Sequence, residues 1–315
     1  MDFYEIDEEE MAVTTREVRR LMQERGWPAA RACLVEDGWL VWATRPDGKE
    51  VRFRSAEPET TGEFAVRLAR EKFLTYELLA RIGVRHPETL RNPHLEAVEE
   101  LLMRHDSLVV KPADGAHGNG VTVGIRDVGE AELALEKARH QSPGGEVLVQ
   151  EQLADGVEVR AICIDYKFVV ALERVPAAVT GDGKHTVAEL IEIENRELRT
   201  EAYRSRLAYI PKEAALNYLG DRAGAVPSAE EKVRVMAMCN IGQGGTTRDI
   251  SAEWDAARRT EVERIAREFR LPVIGVDYLG DAVLEVNSCP SLYYNAEGPA
   301  ATAAVEKYVE YLESI

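Results

Sequence analysis

The sequence predicts an α+β protein with two mixed lobes and a small α/β segment at the N-terminus. Residues 107–150 are predicted as strand, glycine-rich loop, strand, helix and strand, which together make one small α+β lobe. From Val157 onward the pattern changes to a hairpin across Asp165 and Tyr166, and a second hairpin and a helix follow near residue 315. We therefore expect three regions, formed by residues 1–61, 62–156 and 157–315.

Composition limits the classes of partner. The 315 residues include 39 Lys and Arg against 56 Asp and Glu, which gives a formal net charge of −17. This balance argues against nucleic acid or an anionic membrane as the main partner. The four cysteines have no paired spacing, the acidic N-terminus does not have the pattern of a signal peptide, and no apolar run is long enough to span a bilayer. We expect a soluble, cytoplasmic protein, with a homodimer left open.

The elements are predicted in order from local signals. Residues 38–54 alternate apolar and polar side chains around an Asp-Gly pair at 47–48, which predicts a hairpin. Residues 62–82 are predicted as one long amphipathic helix with Phe64 and Leu74 on its inner face. Further helices are predicted over residues 94–104, 130–140, 186–198, 251–269 and 300–312.

The stretch 273–287 places Asp277, Glu285 and Asn287 within otherwise apolar strands. A sheet does not bury charge without a partner, and converging oxygen ligands suit Mg²⁺, which usually also holds substrate phosphates. Glu285 and Asn287 are two residues apart, so they share a face. Asp277 joins that face only if the turn has an odd number of residues, so we predict a three-residue loop at 280–282. An exposed sheet edge with scattered acids is the alternative interpretation.

A glycine-rich segment between two predicted strands is a candidate phosphate cradle. Lys111 ends the first strand, and Gly115, Gly118 and Gly120 follow it. Glycines let backbone N–H groups approach an anion closely, and the lysine adds a positive charge. The segment is neither a P-loop nor a dinucleotide fingerprint, because Gly-Lys-Ser/Thr is absent and the loop returns to a strand. An ordinary turn is the alternative.

Taken together, these blocks resemble the ATP-grasp superfamily. The resemblance rests on Val109-Val110-Lys111-Pro112 with the glycine-rich hairpin, Gln150-Glu151, Glu158-Val159-Arg160, Asp277 and Glu285-Val286-Asn287, in that order. Within the superfamily, residues 174–191 and 240–249 are most similar to the ATP-grasp domain of cyanophycin synthetases and bifunctional glutathione synthetases.

The resemblance implies an ATP-grasp fold, in which two α+β lobes clasp ATP between them. It implies ligation of a carboxylate to an amine through an acyl phosphate, on amino acid or small peptide substrates, with ATP and Mg²⁺ (or Mn²⁺) as cofactors. The implied catalytic residues are Arg160, Arg174 and Asn240, with Gly244 and Gly245 on the acceptor side. The implied ATP-binding residues are Lys72, Lys111, Gly115, His117, Gly118, Asn119, Gly120, Glu151, Leu153 and Glu158. The implied metal ligands are Asp277, Glu285 and Asn287.

Alternatives stay open for residues and for function. Each arginine could be an ordinary salt-bridge residue, and Glu158 could be an outward strand position. The chain departs from the superfamily pattern at Ser291-Leu-Tyr-Tyr294, and at Met236, where relatives tend to carry an arginine. A phosphotransferase on the same fold and a nucleotide-binding module of a larger assembly are the alternative functions.

Overall fold

The computed structural model describes residues 12–35, 38–113, 120–154, 156–198, 209–237, 239, 243–292 and 300–315. Within these residues the chain is an α+β protein with one five-stranded sheet, two four-stranded sheets and a two-stranded ribbon. Every strand pairing among them is antiparallel. None of the described helices is both long enough and apolar enough to cross a membrane.

The N-terminal region is a helix followed by a four-stranded sheet of order β1-β2-β3-β4. Its elements are α1 (Val13–Glu24), β1 (Ala29–Val35), β2 (Gly38–Thr44), β3 (Glu50–Arg54) and β4 (Glu57–Pro58). In β3 the alternation buries Val51 and Phe53 and exposes Glu50 and Arg52. The predicted hairpin of residues 38–54 is confirmed by the pairing of β2 with β3.

The next region combines a pair of helices with a four-stranded sheet of order β5-β8-β6-β7. Its elements are α2 (Glu63–Arg70), α3 (Lys72–Arg81), β5 (Thr89–Arg91), α4 (Leu95–Leu102), β6 (Leu108–Pro112), β7 (Thr122–Ile125), α5 (Val128–Gln141) and β8 (Val147–Glu151). Helices α4 and α5 cover one face of this sheet, where Leu101 and Leu135 pack with Val110 and Val149. Lys111 lies near the end of β6, and this strand is fixed by packing against the helices.

The predicted single helix over residues 62–82 is wrong, because the chain breaks at Glu71 between α2 and α3. Glu71 has an extended backbone, with φ −84° and ψ 94°. The hydroxyl of Thr75 donates to the carbonyls of Leu68 and Ala69 at 2.9 and 3.3 Å. It thus satisfies carbonyl groups at the end of α2 that the break deprives of helical partners. The break also turns Phe64 outward, where its side chain is 79% exposed instead of buried as predicted.

The C-terminal region is built on the five-stranded sheet, of order β13-β10-β9-β14-β15. Its elements are β9 (Glu158–Ile164), β10 (Lys167–Val175), β11 (Ala178–Thr180), α6 (Val187–Leu198), α7 (Lys212–Leu219), β12 (Lys232–Arg234), β13 (Thr246–Asp249), α8 (Ala256–Phe269), β14 (Val273–Leu279), β15 (Ala282–Asn287) and α9 (Ala300–Ser314). The predicted hairpin across Asp165 and Tyr166 is confirmed, and both residues have positive φ, at 53° and 59°. Two positive φ values are the geometry of a tight antiparallel hairpin.

The two faces of the five-stranded sheet bury different partners. One face packs against α8 and the α2–α3 pair, with Ala161, Val276 and Phe269 in a common core. The other face is covered at one end by α9 and the N-terminal sheet, where Ile162 and Leu172 join the same core as Phe53 and Tyr308. The N-terminal region therefore shares a core with the five-stranded sheet, and the opposite end of that face carries charged side chains instead.

Candidate active site

The β14–β15 hairpin places the predicted metal ligands on one face of the sheet, but its turn and its register differ from the prediction. The turn has two residues, since Leu279 pairs with Ala282, so the predicted three-residue loop is wrong. A regular ladder from that turn would place Asp277 opposite Leu284. Instead the register shifts at Leu284, and Asp277 lies opposite Glu285, as predicted. An extra residue on one strand is a β-bulge, which restores the shared face that a two-residue turn alone would abolish.

The register of the sheet brings predicted site residues from four strands to this face. Directly opposed pairs are Glu158 with Arg174, Arg160 with Asp277, and Asp277 with Glu285. Opposed residues of an antiparallel pair share a face, so these side chains meet above the sheet. Asn287 lies opposite Gly275 and joins the same row.

A buried ion-pair network occupies the centre of this face. Arg160 donates from Nε and Nη2 to the two carboxylate oxygens of Asp277, both at 2.6 Å. Arg174 contacts Glu158 at 2.7 Å and Asp277 at 3.2 Å. Asp277 is only 4% exposed, so burial raises its pKa, but the two arginines outweigh burial and its pKa lies below the ordinary value. Asp277 is therefore ionised and fixes both guanidinium groups in place.

The remaining groups fit a hard divalent cation. Three N–H groups contact the Asp277 carboxylate, and the side chain of Asn287 also acts on it. The Glu285 carboxylate makes no hydrogen bond or salt bridge with the described residues. The amide nitrogen of Asn287 is buried without a hydrogen-bond partner, and its side chain also lowers the pKa of Asp277. Carboxylate and amide oxygens are ligands that Mg²⁺ accepts. In the described part of the chain, no three His, Cys, Asp or Glu side chains cluster as metal ligands, so this set depends on the amide.

The predicted phosphate-side lysines both lie near Tyr76, whose hydroxyl contacts this hairpin. Lys111 is partly accessible, yet burial lowers its pKa to about 8, while the nearby charge of Glu285 acts in the opposite direction. Its Nζ is 5.8 Å from the ring centroid of Tyr76, and the charge of Lys72 also acts on Tyr76. Lys111 therefore lies near the hairpin, and its position across a cleft and its contact with phosphate stay predictions.

Part of the predicted nucleotide site lies outside the described residues. This applies to Gly115, His117, Gly118, Asn119 and Asn240. Gly120 is described and has φ +74°. A Cβ atom there would lie 2.8 Å from Gln141 and Pro112, so only glycine fits where the predicted flap returns to β7.

Glu151 lies apart from the ion-pair network, at the connection between the two lobes. Its carboxylate accepts from Arg85 at 2.5 and 3.0 Å and from the backbone N–H of Glu88 at 3.1 Å. Arg85 is also the main reason why the pKa of Glu151 is lowered. The carboxylate is therefore already paired, and the predicted contacts of Glu151 and Leu153 with adenine stay predictions.

The structure adds site residues that the sequence did not single out. Burial and the neighbouring charge of Glu158 together raise the pKa of Cys239 to about 11, which places this thiol beside Glu158 and Arg174. Gly244, which the resemblance already implied on the acceptor side, packs closely on residues before α7, since a Cβ there would lie 2.5 Å from Ile210. Tyr76 lies between the two lysines and the hairpin. Its spacing of four from Lys72 on α3 was the one signal available for it.

Comparison with known proteins identifies the class of fold. No family model matches the chain. It is 32% identical over 257 residues to the cyanophycin synthetase of a Nostoc species, over 76% of this chain and 28% of that protein. The bifunctional glutathione synthetase from Pasteurella multocida has a similar structure, with a TM-score of 0.71 at 22% identity over 97% of this chain and 44% of that one.

A second solved structure supports the same class. The ATP-grasp ligase PsnB, complexed with a precursor peptide and AMPPNP, gives a TM-score of 0.51 at 13% identity, over 95% of this chain and 94% of that one. The chain therefore has the ATP-grasp fold, as the motifs predicted, and its sequence similarity supports a relationship to the ATP-grasp superfamily. It spans only 28% of the length of the cyanophycin synthetase that it resembles.

Proposed function

We propose that this chain is an ATP-dependent ligase that joins a carboxylate to an amine through an acyl phosphate. The observation that carries the proposal is a pair of arginines, Arg160 and Arg174, fixed by the buried Asp277 next to Glu285 and near Lys111. Positive groups close to oxygen ligands suit the transfer of a phosphoryl group to a carboxylate. Amino acids or small peptides are the proposed substrates.

In this proposal different described residues bind the nucleotide phosphates, Mg²⁺ and the ribose. Lys111 and Lys72 bind nucleotide phosphates, and Asp277, Glu285 and Asn287 hold Mg²⁺. Bound Mg²⁺ would offset negative charge on the phosphates. Glu158 stays as the ribose contact that the resemblance implies, although its carboxylate is also paired with Arg174.

The arginines act on the donor carboxylate and on the oxyanion that follows. An oxygen of the donor carboxylate attacks the γ-phosphorus, the bond to ADP breaks, and an acyl phosphate forms. The amine then attacks the acyl carbon, phosphate leaves, and the amine loses a proton. Arg174 retains a buried Nε–H with no partner among the described residues. A buried donor of this kind is suited to stabilise developing negative charge.

The cysteine nearest to the network supports activation by phosphate rather than by a thioester. Burial raises the pKa of Cys239 to about 11, so its thiol stays protonated at neutral pH. The nucleophile in thiol chemistry is the thiolate, which is scarce under these conditions. The donor carboxylate is therefore activated by the nucleotide in our proposal.

Isotope transfer tests the mechanism directly. Pairs of amino acids are first screened for ADP release, with mass spectrometry of the amide product. For an active pair, ¹⁸O in the donor carboxylate is expected in inorganic phosphate, because the acyl phosphate oxygen leaves with the phosphate. Label in AMP would indicate adenylation instead. A stable phosphorylated product with no amide would indicate a phosphotransferase.

A further inference from the structure

We infer that Tyr76 is a positioning residue that holds the bulge of β15 and thereby aims Glu285 at the nucleotide phosphates. The inference rests on the proposed function, because it assigns Glu285 to the metal side of the ligase site. Tyr76 lies on α3, which shares a core with the five-stranded sheet, and Lys111 lies over its ring, so one side chain connects the phosphate-side lysine with the metal-side carboxylate.

The hydroxyl of Tyr76 forms a hydrogen bond with the bulged residue itself. It donates to the carbonyl of Leu284 at 2.7 Å. Leu284 is the extra residue whose insertion shifts Glu285 into register with Asp277. A bulged residue is left out of the strand ladder, so its backbone groups need another partner. Tyr76 supplies that partner from outside the sheet.

A second contact, from the segment between α3 and β5, fixes the other side of the bulge. The backbone N–H of Val283 donates to the carbonyl of Arg85 at 2.8 Å. Strand β15 is the edge of the five-stranded sheet, where backbone groups on the outer side have no neighbouring strand. Tyr76 and Arg85 therefore hydrogen-bond the outer backbone groups of residues 283–284, with which a sixth strand would otherwise pair.

The ring of Tyr76 faces the phosphate side of the cleft. Lys111 lies over the ring, with Nζ 5.8 Å from the centroid, which is within the range of cation–π contact. His86 stacks on the ring at 5.5 Å with an interplanar angle of 19°. The side chain is 2% exposed, so its position is fixed by packing. Burial also raises its pKa, so the phenol remains a hydrogen-bond donor at neutral pH.

The hydroxyl and the ring have separable effects. Without the hydroxyl, the Leu284 carbonyl loses its partner, and the hairpin can return to the regular ladder that sets Leu284 opposite Asp277. Glu285 would then face away from the cleft, whereas the ring below Lys111 would be unchanged. Loss of the hydroxyl should therefore impair the use of metal, and loss of the ring should in addition impair nucleotide binding.

The test compares Tyr76→Phe with Tyr278→Phe. Tyr278 is a matched control because it is buried and lies on β14 of the same hairpin. Its side chain lies on the face of the sheet opposite Asp277, where its hydroxyl donates a hydrogen bond to Glu261 at 3.1 Å. Calorimetry measures AMPPNP binding as Mg²⁺ is varied, and hydrogen exchange measures the protection of residues 283–286. Steady-state ADP release gives kcat and the KM for ATP.

For Tyr76→Phe we expect the Mg²⁺ concentration at half-saturation to rise roughly 10- to 100-fold, the range typical when a group that orients a metal ligand is removed. Nucleotide affinity at saturating Mg²⁺ should be unchanged, kcat should fall, and protection of residues 283–286 should decrease. Tyr278→Phe should leave the Mg²⁺ dependence unchanged. Tyr76→Leu should also raise the KM for ATP, because Lys111 loses the ring below it.

The outcomes separate this inference from the proposed function. If the wild-type chain binds Mg²⁺ and AMPPNP and forms amide, but Tyr76→Phe and Tyr278→Phe have the same Mg²⁺ dependence, the role of Tyr76 is refuted and the ligase stands. If the wild-type chain neither binds AMPPNP nor releases ADP, both proposals are refuted.

Discussion

The two ends of one face of the five-stranded sheet have opposite chemistry, although the same strands build both. On β9, Arg160 belongs to the ion-pair network, whereas Ile162 lies in the core below α9. On β10, Arg174 and Leu172 show the same contrast. The change from charged to apolar takes place within two residues on each strand. At the covered end the sheet is held by packing, and at the open end by a few strong hydrogen bonds.

This contrast shows how a buried charge network can be held in fixed geometry. Side chains in a packed core have few alternative positions, so strands that are fixed at one end carry the arginines at the other end with little freedom. The network in turn neutralises Asp277, which could not stay buried and ionised alone. The following changes would break or sharpen the comparison, from the largest expected effect to the smallest.

The largest effect is expected for Asp277→Ala. Two arginines would be left partly buried without their shared carboxylate, so the free energy of unfolding should fall by roughly 3–5 kcal/mol, as measured when one partner of a buried pair is removed. Ligase turnover should be lost as well. Urea denaturation checks the first effect and ADP release the second.

The matched control for this variant is Glu173→Ala, which removes an exposed ion pair with Arg248 on the neighbouring strands. That change should lower the free energy of unfolding by less than about 1 kcal/mol. Equal losses of stability for the two variants would contradict a special role for the buried network.

A change at the covered end should affect stability and leave chemistry intact. Leu172→Ala removes a fully buried side chain from the core below α9. The free energy of unfolding should fall by about 2–5 kcal/mol, as is typical for such truncations. At a temperature where the variant is folded, the KM for ATP should be unchanged. A raised KM would show that the two ends are less independent than we propose.

Lys111→Ala tests the phosphate side of the cleft. We expect ATP binding or turnover to fall by about 10²-fold, on the scale of one preorganised charged contact. The fold should survive, because a lysine near the end of a strand contributes little to packing. Lys137→Ala on α5 serves as the control, since Lys137 is exposed. Equal rates for Lys111→Ala and the wild-type chain would refute the assignment.

The pH dependence of nucleotide binding is a smaller effect with a defined sign. Burial lowers the pKa of Lys111 to about 8, so the free protein loses this charge as pH rises through that value. Bound phosphates favour the protonated form of Lys111, so nucleotide binding above pH 8 should be accompanied by the uptake of a proton. The affinity for nucleotide should then fall by up to about ten-fold per pH unit. Calorimetry at pH 9 in buffers of different ionisation enthalpy measures the uptake. The uptake should vanish in Lys111→Ala.

The sequence predicted the order of the motifs well, and local geometry less well. The superfamily, the α+β fold and the pairing of Asp277 with Glu285 were predicted, because ligand residues stand at fixed places in short strands. The bulge at Leu284 was missed, since its partner Tyr76 is 208 residues away and no local signal indicates the contact. The break at Glu71 was missed because the apolar periodicity continues across it.

The individual roles of site residues were predictable only by resemblance. Nothing near Glu151 in the sequence indicates that Arg85, 66 residues earlier, pairs with its carboxylate. Nothing local indicates that Arg160 and Arg174 share Asp277, because strands β9, β10 and β14 are brought together by the sheet. Tertiary pairing thus decides which charges are free to bind a ligand.

The shared core of the N-terminal sheet and α9 has a consequence for synthesis on the ribosome. Thr60 and Tyr311, hydrogen-bonded at 2.8 Å, are 251 residues apart in the chain. At about 5–20 residues per second, translation reaches the second partner roughly 10 to 50 seconds after the first. During this interval the apolar face of the N-terminal sheet, including Phe53, lacks the helix that covers it. The nascent chain therefore exposes an apolar surface until α9 is made, and a chaperone that binds during this interval should increase the yield of folded protein more than one that binds later.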